Sequence, residues 1–156
     1  MVAAADLNTP GASVPEATVT GPDGPIDLAA LGGTLIVYFY PKADTPGCTR
    51  EAQDFSALAD HFAAAGARVI GVSKDPLAKL GRFATKHDLT VTLASDESGA
   101  ACEAFGVWGE KQLYGKTYMG IERATFLFRN GRLARAWRKV KVPGHAATVL
   151  KAVRAS

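Results

Sequence analysis

The sequence predicts an α/β fold in which a mixed central sheet is flanked by helices and preceded by an N-terminal β-hairpin extension. Three observations support this prediction. β-prone runs alternate with stretches of helical periodicity through the middle of the chain. The run TLIVYFY at 34–40 is apolar throughout, which is typical of an interior strand buried on both faces. Near the C-terminus, Asn130-Gly131 separates two β-prone runs and suits a two-residue hairpin turn.

Each element follows from a local pattern of periodicity and of Gly or Pro boundaries. In chain order we expect a hairpin over 17–31 around GPDG, a strand over 34–40, a helix from Thr49 to a stop at Gly66, a strand over 67–75, a helix over 76–89 opened by Pro76, a strand over 90–96, a short helix over 98–107, an irregular Gly-rich segment through Gly120, a hairpin over 122–138 and a closing helix over 144–155. This order resembles a thioredoxin-like domain with an N-terminal β extension.

Composition limits the classes of protein to consider. The 156 residues suit one domain over 1–156, with 47% hydrophobic and 21% charged residues. The apolar runs are too short to span a bilayer, and the first residues lack the pattern of an export signal, so we expect a cytoplasmic protein with no membrane partner. The net charge is +3, and the basic segment RNGRLARAWRKVKV is interpreted as a solvated strand face with no nucleic-acid partner. The three histidines show no ligand spacing, so no metal site is predicted.

Cys48 stands where the predicted buried strand passes through a Thr-Pro-Gly turn into a helix. Only the thiolate form of cysteine is a strong nucleophile. Free N–H groups and the helix dipole at this junction favour the anion, but a helix terminus contributes only about 0.3–1 kcal/mol. A strongly stabilised thiolate therefore also needs a cation or direct hydrogen bonds.

Four residues could complete a site around this sulfur. Thr45 shares the turn and can bond whatever the sulfur attacks, or it can serve as an N-cap. Pro41 ends the strand and can cover the pocket. Arg123, at the start of the strand ERATFLF, is the candidate cation, and Glu51 would best serve to orient it or to cap the helix. Lys42 and Asp44 are interpreted as solvated turn residues.

The pattern Pro41-x-x-x-Thr45-x-x-Cys48, with a distant arginine in ERATFLF, resembles the peroxiredoxins. YFYPKADTPGCTREAQDF and DESGAACEAFGVWGEKQLYGKTYMGIERATFLF are similar to the bacterioferritin comigratory protein, or Q-type, subfamily. The resemblance implies reduction of hydrogen peroxide and alkyl hydroperoxides without metal, haem or flavin. It further implies that Cys48 is the peroxidatic cysteine, that Thr45 and Arg123 bind the peroxide oxygens, and that Pro41 shields the pocket.

The chain departs from the subfamily pattern at one position. Many members carry a resolving cysteine five residues after the first, where this chain has Gln53. We therefore expect a one-cysteine mechanism with an external thiol reductant, such as thioredoxin, glutaredoxin or a small thiol. Cys102 is interpreted as a buried hydrophobe, with a resolving role as the alternative.

Two other functions remain possible on this fold, a thioredoxin-like disulfide oxidoreductase and a binding or chaperone-like module. The first is weakened because TPGCTRE contains no C-x-x-C pair. For the assembly, we expect a monomer or weak dimer.

Overall fold

The computed structural model describes residues 7–155. Within that range the strands are β1 (Thr18–Gly21), β2 (Gly24–Asp27), β3 (Thr34–Phe39), β4 (Ala67–Ser73), β5 (Thr92–Ser95), β6 (Trp108–Leu113), β7 (Lys116–Ile121), β8 (Ala124–Arg129) and β9 (Arg132–Trp137). The helices are α1 (Pro46–Ala57), α2 (Ala59–Ala64), α3 (Leu77–Lys86), α4 (Ala100–Ala104) and α5 (His145–Arg154), with a short 3-10 helix at Leu28–Ala30. In the described part of the chain, no helix is long and apolar enough to cross a membrane.

Seven strands form a mixed sheet in the order β2-β1-β5-β4-β3-β8-β9. β3 pairs in parallel with β4 and antiparallel with β8, so it is an interior strand, as its apolar sequence predicts. Its side chains alternate between two hydrophobic clusters. Val37 and Phe39 point to the face that holds α4, which we call the α4 face. Tyr38 points to the face covered by α1, α2, α3 and α5, which we call the α1 face.

The order of strands and helices confirms the predicted fold class, including the N-terminal hairpin, which is β1 and β2. Asn130 and Gly131 have φ angles of 51° and 81° and form the predicted turn between β8 and β9. Both lie in the left-handed region, which the Asn-Gly pair tolerates.

Two predictions about local structure are wrong. The segment after residue 107 is not irregular, because β6 and β7 form a separate two-stranded sheet. Its turn is Tyr114-Gly115, with φ angles of 51° and 76°. Tyrosine is rare at such a position, so the sequence does not signal the turn.

The predicted helix from Thr49 to Gly66 is instead two helices that meet at Leu58, and the first begins at Pro46. The backbone of Leu58 leaves helical geometry, with φ −100° and ψ 7°. Phe55 and Phe62, on either side of it, both stay in the core, with ring centroids 5.8 Å apart. No Gly or Pro marks this break, so sequence periodicity continues across it.

Candidate active site

Cys48 is the third residue of α1, at the end of the loop that follows β3. Thr45 takes the N-cap position, but its side chain does not cap the helix. Its Oγ1 instead donates to the carbonyl of Lys42 at 2.8 Å. The first-turn N–H groups, which have no intrahelical acceptor, are therefore not taken by the Thr45 side chain. Cys48 is 2% exposed and lies on the α1 face.

Arg123, the predicted cation, reaches this sulfur from the start of the neighbouring strand. β8 runs antiparallel to β3, and Ala124 pairs with Phe39, so the residue before β8 lies beside the end of β3. The Arg123 Nη2 donates to Cys48 Sγ at 3.3 Å. A Cβ on Gly47 would lie 3.2 Å from that Nη2, so glycine leaves room for the guanidinium. Sequence reasoning did not identify this role of Gly47.

Glu51 holds the other side of the guanidinium. The Arg123 Nη1 donates to Glu51 Oε1 at 2.6 Å, and Glu51 is 1% exposed. Burial raises the pKa of Glu51 to about 7, and the adjacent positive charge of Arg123 counteracts part of that shift. Burial lowers the pKa of Arg123, but its interactions with Glu51 and with Cys48 outweigh burial and leave that pKa raised. One cation thus serves two acidic groups.

A buried polar pair lies on the same face of the sheet. His145 Nε2 and Thr125 Oγ1 are 2.7 Å apart. Burial, with a smaller contribution from the positive charge of Arg123, lowers the pKa of His145 to about 4, so this imidazole is neutral at physiological pH. The aromatic rings of Phe55 and Trp137 pack against it edge to face. Sequence reasoning assigned His145 no role, since its partner is 20 residues away along the chain.

The loop that carries Pro41 and Thr45 is anchored at several points. Pro41 is half-buried directly after the β3 segment, and the preceding Tyr40 N–H donates to Val72 O at 3.1 Å. Asp44 was expected to be a solvated turn residue, but its carboxylate bonds Lys86 Nζ at 3.0 Å and His87 Nε2 at 2.8 Å. Asp44 is an exposed turn residue, as expected, but the sequence did not predict these partners, which come from the end of α3.

Cys102 lies far from this arrangement in the fold. Its side chain is fully buried on the α4 face, whereas Cys48 is on the α1 face, so the sheet separates the two sulfurs. Both cysteines are free thiols. The backbone N–H of Cys102 donates to Asp96 Oδ2 at 2.8 Å. Burial and the nearby Asp96 carboxylate raise the pKa of Cys102 well above its ordinary value.

Comparison with known proteins agrees with this geometry. Residues 10–136 match the model of the AhpC/TSA family. Peroxiredoxin Bcp of Bacillus subtilis is 46% identical over 147 residues, which cover 92% of this chain and 94% of that protein. Peroxiredoxin Bcp of Xanthomonas campestris is 49% identical over 128 residues, which cover 81% and 80%. The chain is a peroxiredoxin of the AhpC/TSA family.

A solved structure shows the same fold for this peroxiredoxin. The bacterioferritin comigratory protein of Xanthomonas campestris, studied for its alkyl peroxide reduction activity in trapped intermediate and ligand complexes, aligns with a TM-score of 0.83 and 45% identity. The alignment covers 89% of this chain and 90% of that one. The family and thioredoxin-like fold inferred from the sequence motifs are therefore confirmed.

Proposed function

We propose that this peroxiredoxin is a thiol-dependent peroxidase that reduces hydrogen peroxide and organic hydroperoxides at Cys48. The observation that carries the proposal is the 3.3 Å contact between Arg123 Nη2 and Cys48 Sγ at the start of α1. A guanidinium stays charged at any relevant pH and has donors for both a thiolate and a peroxide oxygen. The alkyl peroxide reduction studied in the Xanthomonas protein supports the same reaction here.

The first half-reaction oxidises the sulfur and reduces the peroxide. The Cys48 thiolate attacks one peroxide oxygen, the S–O bond forms as the O–O bond breaks, and the products are Cys48 sulfenic acid and an alcohol or water after the leaving oxygen takes a proton. Arg123 stabilises the thiolate and the charge that develops on oxygen. The hydroxyl proton of Thr45 is engaged by the Lys42 carbonyl, which leaves its oxygen lone pairs to accept a hydrogen bond from the peroxide O–H. Pro41 limits access of water to the pocket.

The second half-reaction uses an external thiol. Gln53 occupies the position of the usual resolving cysteine, and the sheet lies between Cys48 and Cys102. An internal disulfide would require α1 or α4 to leave the sheet, because sulfurs must approach within about 2 Å to bond. We therefore assign both reducing equivalents to an outside dithiol or to two thiols, which return Cys48 to the thiol and release water and a disulfide. Thioredoxin, glutaredoxin and small thiols are the candidate reductants, and the cytoplasm is the proposed compartment.

Paired cysteine variants test the assignment. Cys48→Ser is expected to abolish thiol-dependent peroxide consumption, because serine forms no comparable nucleophile at neutral pH. Cys102→Ser is the matched control and should retain turnover. Peroxide consumption by Cys48→Ser at the wild-type rate would refute the proposal.

Mass spectrometry tests the resolving step. After one equivalent of peroxide, a sulfenic-acid trap such as dimedone should add to Cys48 and leave Cys102 unmodified. A Cys48–Cys102 disulfide would instead establish the two-cysteine alternative.

A further inference from the structure

The loop of residues 41–45, which we call the peroxidatic loop, is attached to its surroundings through two carboxylates, one outside the loop and one on it. Asp75, just beyond β4, accepts hydrogen bonds from Ala43 N at 2.8 Å and from Ser73 Oγ at 2.7 Å. Asp44, on the loop itself, reaches across to the end of α3. The loop is thus attached to an interior strand of the sheet on one side and to a neighbouring helix on the other.

The backbone of Asp44 shows why the second attachment is needed. Its φ of 63° lies in the left-handed region, which is uncommon for a residue with a side chain. Such a conformation persists where surrounding contacts fix it. The hydrogen bond from His87 lowers the pKa of Asp44, and the bond from Lys86 adds a smaller effect in the same direction. The carboxylate is therefore ionised at neutral pH. Both bonds hold Asp44, and the torsion angles of Asp44 determine the position of the next residue, Thr45.

Thr45 links the attachment of the loop at Asp44 to the peroxidase reaction. It directly follows Asp44, its Oγ1 is engaged by Lys42 O at 2.8 Å, and Thr49 N donates to its carbonyl at 2.9 Å. A rotation of the backbone at Asp44 therefore changes both the Thr45 hydroxyl and the start of the helix that carries Cys48. Catalytic groups are sensitive to such shifts, since a displacement of about 1 Å can change a rate by about a hundredfold.

We propose that Asp44, held by Lys86 and His87, is a positioning residue of the peroxidase reaction, which fixes the Thr45 hydroxyl against the peroxide and keeps the loop closed over Cys48. The inference rests on the function proposed above. It differs from a stabilising role of the same ion pairs. Asp44 and Lys86 have side chains 39% and 63% exposed, and exposed pairs contribute little to folding stability. The effect of losing them should therefore appear in reactivity.

Asp44→Asn is the informative variant, because asparagine tolerates the left-handed conformation and keeps the side-chain shape, while it removes the charge and one of the two acceptor oxygens. The matched control is Asp88→Asn. Asp88 is also exposed, has a φ of 52° and adjoins His87, but it forms no salt bridge among residues 7–155. Two rate constants are measured for each protein by stopped flow, for peroxide and for a bulky maleimide, both reacting with Cys48 in a Cys102→Ser background.

We expect Asp44→Asn to lower the ratio of the peroxide rate constant to the maleimide rate constant about tenfold. The peroxide reaction needs an ordered Thr45, whereas the maleimide needs only access to the sulfur. Asp88→Asn should leave the ratio unchanged. An unchanged ratio in Asp44→Asn, or an equal decrease in both variants, would overturn the inference.

A double-mutant cycle tests whether Asp44 acts through Thr45. Adding Asp44→Asn to Thr45→Val should lower the peroxide rate constant much less than adding it to the wild type, because the group being positioned is already absent. Equal effects in both backgrounds would exclude the proposed route. Failure of the proposed function is a different result, since wild-type Cys48 would then show no fast reaction with peroxide.

Discussion

The two cysteines of this peroxiredoxin occupy similar positions and differ in the charge beside them. Each is the third residue of a helix, and each is buried against the sheet, Cys48 on the α1 face and Cys102 on the α4 face. Cys48 has the guanidinium of Arg123 next to its sulfur, whereas Cys102 has the carboxylate of Asp96 nearby. A helix start is therefore common to both cysteines and does not by itself identify the reactive one.

The N–H groups at the two helix starts also differ, in whether a carboxylate already accepts hydrogen bonds from them. At α4, Asp96 accepts from the N–H groups of Ala101 and Cys102 at 3.0 and 2.8 Å, so a carboxylate already uses the donors that a thiolate would need. At α1, the Thr45 side chain turns away to Lys42 O and does not cap the helix. The first turn of α1 is left open to an anion, and the first turn of α4 is closed by one.

Removing the cation should make Cys48 less reactive toward peroxide and so more like Cys102. Arg123→Met is expected to lower the rate constant for peroxide reaction with Cys48 by about 100- to 1,000-fold, as for loss of a donor that stabilises developing charge on oxygen. Arg50→Gln is the control, since Arg50 is also on α1 but is exposed and bonds Asp54. Stopped-flow peroxide reaction measures both variants.

Arg123→Met also leaves Glu51 buried without its partner, which can destabilise the protein. The double variant Arg123→Met/Glu51→Gln removes that buried charge and should fold while remaining slow with peroxide. A peroxide rate constant near the wild-type value in either variant would show that the guanidinium is not what distinguishes the two cysteines.

The sequence predicts the local part of the Cys48 site better than the contacts of that site with distant segments. Pro41, Thr45 and Cys48 fall within eight residues, so their association follows from local turn and helix signals. The sequence offers Arg123 only as a candidate cation at the start of a strand, and the resemblance implies that it binds the peroxide. Its contact with Cys48 depends on the pairing of β3 with β8. Contacts between distant segments, such as Asp44 with His87 and Ala43 with Asp75, join residues 43 and 32 positions apart and leave no local pattern. Asp44 is exposed, as its position in a polar turn predicts, but a single sequence does not show which helix end faces the loop.

Glu51 provides a second way to test the shared cation, through pH. Its pKa is raised to about 7 in the folded protein, against an ordinary value of 4.5. Between these values the folded state binds more protons than the unfolded state, so folding stability contributed by this group is present at low pH and is lost as pH rises toward 7. Wild-type protein should lose on the order of 2 kcal/mol over that window relative to Glu51→Gln.

Urea unfolding of both proteins at a series of pH values measures this difference, since the contributions of other groups cancel in the comparison. Gln53→Glu provides a control for a carboxylate on the exposed side of α1, and it should show no such window. Parallel stability curves for the wild type and Glu51→Gln would mean that Arg123 fully compensates the burial of Glu51.

The smallest expected effect concerns Cys102, because burial is the largest cause of its raised pKa and the Asp96 carboxylate acts in addition. In a Cys48→Ser background, Cys102 should react with iodoacetamide only as fast as the protein opens. Asp96→Asn removes the charge but not the burial, so its reaction should speed up only through a loss of about 1 kcal/mol in stability at the start of α4. We compare alkylation rates with unfolding rates to test whether Cys102 reacts only when the protein opens. Glu97→Gln is the exposed neighbouring control. If Asp96→Asn reacted quickly while still folded, charge alone would keep Cys102 inert, and the two cysteines would differ by a single carboxylate rather than by access to their sulfurs.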